Sequence, residues 1–69
     1  MKPFFVLNVV DGVPGVMYEA PAFDEAVSKA TAVAKEQCDS DEAAIREELE
    51  NDASFSGVGF DVYIIQTED

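Results

Sequence analysis

Histidine and tryptophan are absent, cysteine occurs once, and only four basic residues (Lys2, Lys29, Lys35 and Arg46) stand against fifteen acidic ones in 69 residues. Each scarcity closes off a class of function. Without His, the commonest general base at neutral pH is missing. Paired carboxylates can serve as acid and base only in a cleft that pushes their pKa values apart, and a chain this short leaves little room for one. The reading is therefore non-enzymatic. A lone Cys38 cannot close an internal disulfide, and one Cys without His cannot build a structural zinc site. That predicts an intracellular protein of a reducing compartment, with no metal and no cofactor. Four scattered cations and a formal net charge of -11 oppose contact with phosphate, so neither direct nucleic-acid binding nor attachment to an anionic membrane surface is expected. No run approaches the ~20 apolar residues of a membrane span. The stretch Phe4-Phe5-Val6-Leu7 is short, is broken by Asn8 and lacks a downstream cleavage signature.

What is present is enough to fold. Hydrophobic residues make up 48% of the chain, too many for a disordered acidic tail, and the length fits one domain over residues 1–69. Residues 3–10, rich in aromatic and β-branched types after Pro3, read as a strand. Asp11-Gly12 and Pro14-Gly15 predict a hairpin with a four- to five-residue loop, and residues 16–20 a second strand ended by Pro21. The period then changes. Phe23, Ala26, Val27, Ala30, Val33, Ala34 and Cys38 recur at steps of three and four, the stripe of an amphipathic helix with Asp24 as its expected N-cap. After a break at 38–40, a second helix is expected over about 41–51, with Ala44 (or Ala43), Ile45 and Leu49 in a thin apolar stripe. Its start is marked by Asp39 and Glu42 in a box-like spacing, with Ser40 as the competing cap. Residues 51–59 read as a loop with Phe55 tucked inward, and 60–67 as a third strand with Phe60, Val62 and Ile64 on one face.

The order β-β-α-α-β predicts an α+β fold: a three-stranded, largely antiparallel sheet with two helices packed on one face, the third strand returning beside a central first strand. The first strand is apolar on both faces, so either Phe4, Val6 and Val10 or Phe5, Leu7 and Val9 must face away from the helices. A bare apolar sheet face, or an open edge strand, invites a second copy or another partner. The chain can thus be read as a small structural or assembly module that self-associates or pairs through its sheet face or edge strand.

The charge supplies the other reading. Glu36, Asp39, Asp41, Glu42, Glu47, Glu48, Glu50 and Asp52 crowd one span with Arg46 as its single cation. Carboxylates along a helix lie several ångströms apart, on the scale of the one phosphate per ~3.4 Å of a DNA strand, so such a face can enter a groove built for phosphates. The plain alternative is a solvated helix face. A calcium loop fits poorly: Asp39, Asp41 and Glu50 match positions 1, 3 and 12 of an EF-hand, but Ala44 stands where its turn needs Gly and Ala43 where it needs a ligand.

The short N-terminal hairpin, the Ala-rich helix Phe23-Asp24-Glu25-Ala26 through Ala34-Lys35-Glu36-Gln37-Cys38, the acidic helix Glu42-Ala43-Ala44-Ile45-Arg46-Glu47-Glu48-Leu49 and the closing strand Phe60-Asp61-Val62-Tyr63-Ile64-Ile65 together resemble small phage and mobile-element accessory proteins. Among these the chain is similar to the anti-CRISPR inhibitors, many of which are single acidic domains of this size. The resemblance implies an inhibitor in the cytoplasm of a bacterial host, bound to the basic surface with which a CRISPR effector complex reads or holds DNA. These inhibitors share no common motif, so the resemblance assigns no residue individually. CRISPR effectors hold target DNA in positively charged channels, and the eight carboxylates above are the candidate contacts.

Overall fold

The structure, a computed structural model, describes residues 3–66. Lys2 and the expected strand end at Thr67 lie outside the described residues. The chain is α+β: strands β1 (Phe4–Val10) and β2 (Val13–Ala20), helices α1 (Phe23–Lys35) and α2 (Glu42–Asp52), then strands β3 (Ser54–Gly57) and β4 (Phe60–Gln66). The sheet has four antiparallel strands in the order β2-β1-β4-β3; β1 is central with β4 beside it, as expected, whereas β4, expected at an edge, is central too because β3 pairs with its far side. The fourth strand corrects the expected three. Residues 54–57, expected in a loop, pair with 60–63 and place Phe55 beside Val62, where it packs on the core.

The first hairpin is tighter than expected. Val10 pairs directly with Val13, and Asp11 (φ 53°) and Gly12 (φ 80°) turn the chain. Two consecutive positive φ values are the mark of the type I′ turn, whose twist matches that of paired strands. Pro14 and Gly15, expected in the loop, lie within β2. Because β2 is an edge strand, Pro14 removes no ladder bond that a central strand would need. The register slips between Leu7 and Val9, leaving an extra residue on the β2 side. A Cβ at Gly15 would stand 3.1 Å from the Asn8 carbonyl oxygen, so glycine suits this close approach.

Both helices cover the same face. Ala26, Val27, Ala30 and Ala34 of α1 and Ile45 and Leu49 of α2 are buried against Val6, Phe60, Val62 and Ile64. Phe23 meets Phe4 edge-on, their ring centroids 5.6 Å apart. Thr31 is a buried member of the α1 stripe that polarity conceals in the sequence; its hydroxyl donates to the Val27 carbonyl at 2.7 Å. The expected caps shift. Helix α1 is capped at Ala22 without a side-chain bond, and Asp24 sits in its first turn, where the dipole still favours it. It also stops at Lys35, so Cys38 lies in the following turn, half-buried, with its thiol against the Ala34 carbonyl at 3.4 Å. Among the described residues no helix is long and apolar enough to cross a membrane.

Candidate functional site

Helix α2 holds the acidic cluster in place by very few anchors. Its N-cap is Asp41, not Asp39 or Ser40: the Asp41 carboxylate accepts from the Ala43 amide at 3.4 Å. Ile45 and Leu49, one turn apart, are the helix's buried residues, while Ala43 and Ala44, either of them expected in the stripe, are exposed because the helix meets the core along this one line. The rest of α2 is exposed apart from the half-buried Arg46. Residues 42–50 are helical, which replaces the irregular backbone of a calcium loop. Among the described residues no group of three Cys, Asp or Glu side chains converges as metal ligands do.

The eight candidate carboxylates separate into distinct settings. Glu47, Glu48 and Asp52 line one shallow depression on α2 together with Ala44 and Asn51. Asn51 was not singled out in the sequence; its spacing of four from Glu47 is the signal that places it there. Glu50 lies on the flank toward α1, and its Oε1 is 3.2 Å from Arg46 Nε. Arg46 also donates to the Ser28 hydroxyl of α1 at 3.1 Å, so this pair ties the helices together. Asp41 serves the cap. Asp39 is exposed in the connection between helices, and Glu42 is exposed in the first turn of α2. Glu36 belongs elsewhere, to a second depression with Asn8, Tyr18, Val33 and Gln37, where Gln37 Nε2 donates to Asn8 Oδ1 at 3.0 Å.

The three cations among the described residues are already engaged. Lys29 Nζ stands 4.9 Å above the Tyr18 ring, Lys35 donates to the Ser40 carbonyl at 3.2 Å, and Arg46 is held by Glu50 and Ser28. Among the described residues no cation faces Glu47, Glu48 or Asp52 within ion-pair distance. Their field therefore reaches solvent uncompensated, which attracts a cationic surface and speeds its encounter. Comparison with family models, with curated proteins and with solved structures gave no match.

Proposed function

We propose that the protein is a non-enzymatic acidic inhibitor that occupies a basic nucleic-acid-binding surface as a DNA mimic, with a bacterial CRISPR effector complex as the target implied by its resemblance to anti-CRISPR proteins. The observation that carries the reading is the group Glu47, Glu48 and Asp52, gathered on one exposed helix face with no cation in ion-pair distance among the described residues. Glu48 and Asp52, four residues apart, are separated by about 6 Å along the helix axis, roughly the span of two phosphate steps on one strand. Each would meet a Lys or Arg that otherwise holds a phosphate. Asp39, Glu42 and Glu36 extend the field beyond this face. Asp41 and Glu50 contribute less, since each already has a partner.

The test uses a purified CRISPR effector retained by the protein from a bacterial lysate. The protein should compete with duplex target DNA for that effector, and retention should fall steeply as salt rises. The triple variant Glu47→Lys, Glu48→Lys, Asp52→Lys should lose competition while its circular dichroism is unchanged. Full competition by that variant refutes mimicry through α2.

A further inference from the structure

The side of the sheet away from the helices carries a second surface of opposite character. Strand register puts Phe5 beside Ile65, Leu7 between Met17 and Tyr63, and Val9 beside Asp61, all facing away from Val6, Val62 and Ile64. Met17, Tyr63 and Ile65 are 51%, 39% and 42% exposed, and Phe5, Leu7 and Val9 beside them are half-buried. Among the described residues no helix or loop covers this face, and its charges are Glu19 on the edge strand β2 and Asp61 near the start of β4, between Val9 and Ser56. The largest apolar patch on a protein surface, rimmed by polar groups, is often an interaction site.

We propose that this face is the interface of a homodimer, in which two copies stack sheet on sheet about Leu7. Three observations select a second copy. The first is where the charge lies. The crowded carboxylates belong to the helix layer, so stacking through the sheets turns the two acidic layers outward. With layers spaced by ~10 Å they stand roughly 30 Å apart, several times the ~8 Å Debye length at physiological salt. A dimer through any helix-layer surface would instead press those carboxylates together. The second is area. Seven-residue strands at ~3.3 Å per residue and four strands at ~4.8 Å give a footprint of about 400 Å². Two copies together cover about 800 Å² or more, the size class of weak, transient interfaces, which places the dissociation constant in the micromolar range or above. The third is the state of the edges. Strand β2 carries Pro14 and a bulge, and β3 is four residues long, so pairing edge to edge is obstructed while the face is open. The inference does not rest on the inhibitor reading, and the two tests fail separately because this one uses no partner.

Sedimentation equilibrium and native mass spectrometry of the purified chain, from low to high micromolar at physiological salt, should show a concentration-dependent species of twice the 7.5 kDa chain mass. Leu7→Asp should weaken the dimer at least tenfold with unchanged circular dichroism, and Glu48→Lys on the far side should leave it intact. If Leu7→Asp does not fold, the double variant Met17→Glu, Ile65→Glu, at two exposed positions, carries the same expectation. A monomer at every concentration overturns the proposal. So does an open-ended series of larger species, the mark of edge pairing, or a dimer indifferent to both variants.

Discussion

Ala26, Ala30 and Ala34, all 0% exposed, set how closely α1 lies on the sheet. A methyl at each position leaves no space for a larger side chain, and the interior tolerates added volume only by shifting helix or strands. Ala30→Leu is therefore expected to destabilise the fold by about 1–3 kcal/mol although leucine is more hydrophobic and nearly as good a helix former. Urea denaturation should show a lower midpoint at unchanged slope; an unchanged or higher midpoint would mean that the helix–sheet contact is loose. The same close fit governs Gly57, over which the buried Phe60 ring lies where a Cβ would project. At the surface the residue scale works differently. Asp41, Glu50 and Glu48 are chemically similar and near in sequence, yet one caps a helix, one pairs with Arg46 and one faces solvent. The Arg46–Glu50 pair is readable from its spacing of four. The choice of cap among Asp39, Ser40 and Asp41 is not, because all three are good caps and tertiary packing of Ile45 and Leu49 fixes where the helix begins.

Helix α2 runs against its own electrostatics. Its last turn holds acids and no base, although the carboxyl end of a helix favours cations, and Glu48 and Asp52 form a like-charge pair at a spacing of four. Asp52→Lys removes the repulsion and complements the dipole, so it should stabilise the protein by roughly 0.3–1 kcal/mol while weakening capture of a basic partner. Thermal melts read beside the DNA competition assay check both directions at once; a loss of stability would show that Asp52 has a structural task. Residues that lower stability at a surface are expected where function holds them. The elements were legible in proportion to the length of their periodicity. Helix α1, with apolar residues over several turns, and strands β1 and β4, with long β-branched and aromatic runs, were plain in the sequence. Strand β3 was not: Ser54-Phe55-Ser56-Gly57 carries one apolar residue, and pairing with β4 supplies the strand character that its composition lacks. The Pro14-Gly15 pair carries a turn signal that the edge position and the bulge override.

On the scale of the whole molecule, charge and apolar surface lean to opposite sides: most of the described acids belong to the helix layer, and the bare apolar side chains lie on the sheet. In the inhibitor reading, the proposed dimer would be a two-headed polyanion, able to engage two basic sites and gain avidity where their spacing allows. Salt then acts on three processes with different signs. The net charge of -11 repels itself most when the chain is compact, so screening should favour the folded state and raise the melting temperature between low and moderate ionic strength. Stacking through the apolar face should hold or strengthen as the residual repulsion between copies is screened. Capture of a basic partner should weaken over the same range, because the counterions released on contact must be released into more concentrated salt. Melting temperature, dimer dissociation constant and partner retention, measured in one salt series, test this division together. A melting temperature that stays flat or falls would mean that the carboxylates are compensated in the folded chain, and the exposed uncompensated field on which the inhibitor reading depends would be lost with it.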